Sequence, residues 1–234
     1  MSQKPDSGAS QRGALAHEHY EASFNHWIGG KAREFRELTA DLIGVIPGES
    51  VLDLGCGTGA LARILARRVG PTGCVAGVDL SMELIEGAVD KAKDDDVSID
   101  YRVGSVEKLP FADSTVDVVV SSLVLHHLAP DVVRRTIGEI HRVLKPGARL
   151  FVIDFASLAQ AGRPHDQASS AANGHWHDHG GSHPHPEKSA SHGLLHDHRP
   201  TLATALREAG FTDVESVGVA FGQRLEVTRG RSPL

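Results

Sequence analysis

The segment Val51-Leu52-Asp53-Leu54-Gly55-Cys56-Gly57-Thr58-Gly59-Ala60-Leu61 concentrates the residues best suited to hold a ligand. Val51 to Leu54 read as a buried strand, and Gly55, Gly57 and Gly59 let the chain turn sharply into a helix. Without side chains there, backbone N–H groups can approach a ligand closely at the positive end of that helix. A glycine-rich turn alone is a weak signal, because dehydrogenases use a related one. Asp53 sharpens it: a carboxylate two residues before the first glycine repels a pyrophosphate but can hold an ammonium. A second carboxylate, Asp79, ends the next apolar run about 24 residues after Gly55. That is near the roughly 20-residue spacing at which an acidic side chain meets ribose hydroxyls. Accepting from both the 2′- and 3′-hydroxyls selects an adenosine without a 2′-phosphate. The bland alternative has Asp79 only capping the helix that opens at Ser81 or Met82.

Histidine supplies the other chemistry. His126 and His127 stand side by side after a strand-like run, and an imidazole with a pKa near 6.5 suits proton removal at neutral pH. The competing reading makes the pair a packed wall with one ring hydrogen-bonded. Nine of the 15 histidines lie between His165 and His198. The pairs and triplet His175-x-His177-x-His179, His183-x-His185 and His196-x-His198 put rings on one side of an extended chain. Imidazole suits zinc, nickel, copper and cobalt, so these seven are candidate ligands for a divalent transition metal. Three readings stay open for this stretch: a solvated low-complexity loop, a metal-binding or metal-sensing lid, or a source of a catalytic base or substrate contacts.

The elements that must position these groups alternate. Strands are expected at 50–55, 74–79, 98–103, 116–121 and 148–154, with helices at 59–69, 81–93 and 131–144. Runs such as VDVVV and RLFVIDF are apolar without clean alternation, as in parallel strands covered on both faces. The pattern predicts βαβ units and a doubly wound sheet. Before it, residues 1–13 read as a flexible, Gly/Ser/Gln-rich leader, and 14–46 as two helices. The second helix is expected to bury Phe35, Leu38, Leu42 and Val45 along one face. The core spans 47–155, the His-rich insert 156–198, and residues 199–234 a closing helix (200–209) and two strands (212–219 and 221–228) pairing antiparallel at the edge.

Asp53-x-Gly55-x-Gly57-x-Gly59, Asp79, Ser105-Val106-Glu107-x-Leu109-Pro110-Phe111 and Leu125-His126-His127-Leu128 occur in the order seen in class I S-adenosylmethionine-dependent methyltransferases. The chain resembles the ubiquinone/menaquinone-biosynthesis type of that family over roughly 35–155 and again over 200–229. The resemblance implies a three-layer αβα Rossmann-like fold with a mostly parallel seven-stranded sheet and an antiparallel C-terminal edge strand. It implies direct transfer of the sulfonium methyl to a small-molecule acceptor at O, N or C. The cofactor residues it implies are Asp53, Gly55, Cys56, Gly57, Asp79, Leu80, Ser105, Val106 and Ser121. The methionine end would lie over the glycine turn, the adenine between strands three and four, and the helix containing His17 to Trp27 would close over the site. The chain departs from the family at Ser105, where Asp is usual. A hydroxyl is a weaker acceptor for the adenine amine than a carboxylate, unless Glu107 rotates in.

Composition bounds the partners. With 40% hydrophobic and 23% charged residues, the chain has the makings of one ordinary soluble core. A net charge of −6 and a pI near 6.2 argue against a sequence-independent nucleic-acid binder. No run approaches a membrane span, and the polar N-terminus is no secretory signal. Cys56 and Cys74 both fall in expected core elements, which fits a reducing cytoplasm. It also disfavours arsenite methylation, a chemistry that needs several accessible thiolates. Oligomeric state is not encoded in any visible pattern.

Overall fold

In a computed structural model of the chain, residues 7–155, 201–221 and 224–234 are described. The His-rich insert, with His175, His177, His179, His183, His185, His196 and His198, lies outside the described residues. Helices α1 (Ser7–Trp27), α2 (Ala32–Ile43), α3 (Ala60–Val69), α4 (Met82–Asp94), α5 (Pro130–Val143) and α6 (Leu202–Glu208) surround one sheet. Its strands are β1 (Ser50–Leu54), β2 (Cys74–Asp79), β3 (Asp100–Val103), β4 (Val116–Ser122), β5 (Leu144–Phe155), β6 (Thr212–Ala220) and β7 (Arg224–Arg231). They lie in the order β3-β2-β1-β4-β5-β7-β6, and β1 pairs in parallel with both β2 and β4. Strand β7 runs antiparallel to β5 and to the edge strand β6. The doubly wound sheet expected from the alternating pattern is therefore present, with its order reversing at β1 and β4. Ligands of such sheets bind beyond the carboxyl ends of the strands at that reversal.

Two apolar layers explain why the central runs lack alternation. Leu52, Leu54, Val119, Leu150 and Val152 pack with α5 and α6 residues such as Ile137, Ile140 and Leu206. Val51, Val118, Val120 and Phe151 face the opposite way, against Ala40, Ile43, Leu61 and Leu65. A strand buried on both faces has no reason to alternate. Among the described residues no helix is long and apolar enough to cross a membrane.

Three expectations need correction. Helix α1 begins at Ser7, so most of the stretch read as a leader is helical. Its low intrinsic propensity is overridden by docking on α4, where glycines let the backbones meet. A Cβ added at Gly87 would stand 2.8 Å from the Gly13 carbonyl oxygen. In α2 the buried face is Ala32, Phe35, Thr39, Ala40 and Ile43. Leu38 and Leu42 are largely exposed, and Val45 lies beyond the helix end. Two stripes competed in this helix, and a threonine could join the buried one because its hydroxyl donates to the Phe35 carbonyl at 2.8 Å. Finally, Cys56 is buried but Cys74, the first residue of β2, is exposed.

Candidate active site

The turn from β1 into α3 is held from below. The Gly55 and Cys56 N–H groups donate to the Val78 carbonyl at 2.8 and 3.1 Å. Gly55 has φ +67°, and a Cβ there would lie 2.4 Å from a Val124 methyl carbon. Gly55→Ala therefore combines a left-handed backbone penalty with overpacking, together about 2–4 kcal/mol. A drop of that size in the chemical-denaturation free energy checks it.

Asp79 connects β2 to this turn. One carboxylate oxygen accepts from the Gly57 N–H at 2.8 Å, and the other from the Ser81 N–H at 2.9 Å. The helix cap itself is Ser81, whose hydroxyl accepts from the Leu84 N–H. Asp79 thus braces the glycine turn as well as the start of α4, and each oxygen retains a lone pair for a ligand hydroxyl. Burial raises its pKa, while the N–H groups of Ser81, Gly57 and Leu80 oppose the rise. Leu80 and Met82 beside it are large apolar side chains left in the open.

Asp53 is only 2% exposed, and its Oδ2 is buried with no hydrogen-bond partner. Burial, followed by the nearby Asp79 carboxylate, pushes its pKa up to about 8, against a smaller pull from Arg36. An acceptor buried in this state costs on the order of 1–3 kcal/mol, so a cationic donor is the natural complement.

Asp53 borders a space of about 420 Å³ that includes open solvent, lined also by Gly55, Cys56, Thr58, Arg36, Ser122 and Leu123 together with Tyr20, Phe24, Phe35, Ala60 and Leu61. Tyr20 and Phe24 bring helix α1 to its wall. The Tyr20 hydroxyl would lie 3.8 Å from a Cβ on Gly57. Burial among acidic neighbours pushes that phenol up to about 12, so it stays a neutral donor. Glu21 fastens this helix: it receives both guanidinium nitrogens of Arg36, at 2.7 and 2.9 Å, and the Thr58 hydroxyl. Burial works against its charge, yet Arg36 and Thr58 more than offset this and hold Glu21 below the usual glutamate range.

The remaining expected residues are placed unevenly. Ser105 and Val106 follow β3 at the same edge of the sheet, where the Gly104 N–H donates to the Asp79 carbonyl at 2.9 Å. The Ser105 hydroxyl accepts from the Glu107 N–H, and the Glu107 carboxylate is paired with Arg135. Glu107 is therefore already engaged away from an adenine. Ser121 is fully buried and does not share the cavity lining with Ser122. Both belong to β4, and successive strand residues face opposite ways. His126 sits in a short 3-10 turn, Leu125–His127, with its Nδ1 2.7 Å from Asp154 Oδ1 and its backbone N–H donating to Oδ2 of the same carboxylate. Its ring packs edge-on to Phe155 and against His127, outside the cavity lining. That geometry matches the packed wall more closely than a base facing a substrate.

Sequence reasoning missed Asp154, Arg36, Glu21, Thr58 and Leu123. An Asp inside the apolar run of β5 was the available signal for the first. Leu123 has φ +59°, an uncommon conformation for a branched residue, fixed by its N–H donating to the Ile153 carbonyl at 2.7 Å. Among the described residues no group of three His, Cys, Asp or Glu side chains could hold a metal ion.

Comparison with known proteins fits this geometry. Residues 51–147 match the methyltransferase domain family. A 2-phytyl-1,4-naphtoquinone methyltransferase of Nostoc sp. is 39% identical over 134 residues, which is 56% of this chain and 58% of that protein. An arsenite methyltransferase of Halobacterium salinarum is 42% identical over 114 residues, 48% of this chain and 29% of that protein. The chain thus spans less than two thirds of the length of these curated relatives. A crystal structure of a SAM-dependent methyltransferase from Aquifex aeolicus superposes with a TM-score of 0.58 at 21% identity, over 84% of this chain and 89% of that one. That likeness concerns the fold. Strand, glycine turn and acidic pair all fall inside or beside the stretch, residues 51–147, that is similar to the methyltransferase domain family.

Proposed function

We propose that the chain is an S-adenosylmethionine-dependent methyltransferase acting on a small molecule whose acceptor region is apolar and ring-like. The observation that carries this is the buried, unpartnered Asp53 Oδ2 beside Asp79, over a turn of bare backbone. The residues fit the cofactor: Asp53 accepts from its ammonium, Asp79 from its sugar hydroxyls, and Ser105 with the Val106 backbone from its adenine. Leu80 offers the base an apolar surface. When bound, the cofactor supplies a methyl group already activated on a sulfonium, so no metal is required for transfer.

What the chain contributes is alignment in a dry site, which can supply roughly 7–11 kcal/mol of a barrier in favourable cases. An aromatic wall supports the acceptor assignment. Phe24 packs on Trp27 and Phe35 at 5.9 and 5.8 Å between ring centroids, and Trp27 continues to Phe155 at 5.7 Å. Phe24, Phe35 and Leu123 expose this cluster to the cavity. The naphthoquinone relative points to a ring acceptor of the same character. Arsenite is disfavoured on corrected grounds: Cys74 is exposed, but it starts β2 opposite Ser50, at the far end of the strands from Asp53 and Asp79. Burial also pushes the Cys56 thiol up, away from the thiolate form. His126 acts here by fixing the wall, its ring oriented by Asp154, and His127 packs with it. The metal-sensing reading of the insert rests on composition alone and gains nothing from the described residues.

Incubation with methyl-labelled S-adenosylmethionine and a panel of acceptors tests the assignment. Label should pass to quinols or phenols with apolar rings. Transfer confined to polar acceptors such as glycine, or to nucleic acid, would overturn it.

A further inference from the structure

Glu21 is a carboxylate that α1 sends towards the glycine turn, and its two partners are unusual for a simple helix lock. Arg36 offers it a planar fork, both nitrogens within 2.9 Å, and Thr58 offers the hydroxyl of the turn itself. Arg36 and Thr58 both line the cavity that Asp53 borders. A guanidinium fork and a hydroxyl thus border the same cavity as a buried, unpartnered carboxyl group. That is the complement of an α-amino acid: Asp53 for its ammonium, Arg36 and Thr58 for its carboxylate. A fork of this kind recognises carboxylates by two parallel hydrogen bonds.

We infer that Glu21 is an internal stand-in for a ligand carboxylate, so that α1 fills the anionic half of an amino-acid subsite until the cofactor displaces it. The inference rests on the assignment above, because it is the methionyl end of the cofactor that carries the competing carboxylate. Displacement has a built-in consequence. The same bonds that hold Glu21 also hold α1, so binding at the methionyl end frees it above the aromatic wall. Helix α1 remains attached through its glycine contact with α4, and the move is a local release at residues 20–24.

The test compares two ligands that share the adenosyl part and differ at the amino acid. S-adenosylhomocysteine has the carboxylate, and methylthioadenosine lacks it. Calorimetry on the full chain should show Glu21→Gln binding S-adenosylhomocysteine at least fivefold more tightly than the unaltered protein, with methylthioadenosine affinity changed less than twofold. Arg36→Lys, which keeps the charge but loses the fork, should weaken S-adenosylhomocysteine about tenfold and again spare methylthioadenosine. Weaker or unchanged S-adenosylhomocysteine binding in Glu21→Gln would overturn the inference, as would equal losses for both ligands in Arg36→Lys. If the unaltered protein bound neither ligand, the enzyme assignment would fail instead, so the two failures are distinguishable.

Discussion

Asp53→Asn should bind S-adenosylhomocysteine 10- to 100-fold more weakly than the unaltered chain, yet its ligand-free form should resist heat better at pH 9. The first effect follows from losing a charge-assisted bond to an ammonium in a buried site, about 1.5–3 kcal/mol. The second follows from the carboxylate's titration. Its pKa is about 8 in the folded protein against an ordinary 3.8, so the folded state keeps the proton to a higher pH than the unfolded chain does. The associated stability is complete below about pH 4 and is lost as pH rises towards 8. Asparagine never ionises and escapes that loss. Thermal melts at pH 6 and pH 9 should therefore separate the two proteins more at the higher value. Over the same range, affinity of the unaltered chain for the cofactor product should rise from pH 6 to pH 8, because a cation prefers the ionised form. A melt difference that shrank with pH, or unchanged affinity in Asp53→Asn, would remove Asp53 from the ligand site.

Asp79→Ala should lower cofactor affinity at least tenfold and also cost stability, because two roles meet in one carboxylate. The Gly57 and Ser81 N–H groups would each lose an acceptor, at about 1–3 kcal/mol apiece where water cannot replace it. Asp79→Asn separates the roles. Its amide oxygen can still accept one N–H, so most of the stability should return while ribose recognition stays impaired. Paired calorimetry and denaturation on both variants read this out. Affinity unchanged in Asp79→Ala would make Asp79 a brace for the turn and nothing more.

The parts of this molecule readable from sequence are those governed by local chemistry. Gly55 and Gly57 announce the turn because the backbone there is left-handed, and Asp53 and Asp79 stand out as candidate ligand groups because charged residues are seldom placed in buried strands without a task. Periodicity located the parallel strands and α3 to α5 within a residue or two, since each is buried by its own pattern, except that β5 starts four residues earlier than expected. What escaped was set by partners distant in sequence. Helix α1 starts early because α4 receives it, and no local signal in residues 7–13 records that contact. In α2, two apolar stripes were equally periodic, and only packing on the aromatic cluster selects Phe35 over Leu38. Ser121 and Ser122 differ by one position in a strand, and which of them meets the cavity depends on the last residue of β4. The Glu21–Arg36–Thr58 group joins α1, α2 and the glycine turn, and His126 with Asp154 joins the 3-10 turn to β5. Such clusters have no spacing rule to betray them.

The central claim is that one buried carboxylate, one half-buried carboxylate and a bare backbone turn hold a cationic adenosyl ligand. Titrating the folded, purified chain with S-adenosylmethionine, followed by displacement with S-adenosylhomocysteine, measures this directly. Saturable binding at one site, with the product displacing the cofactor, is the predicted result. A folded chain that takes up no heat from either ligand would contradict the account at its root.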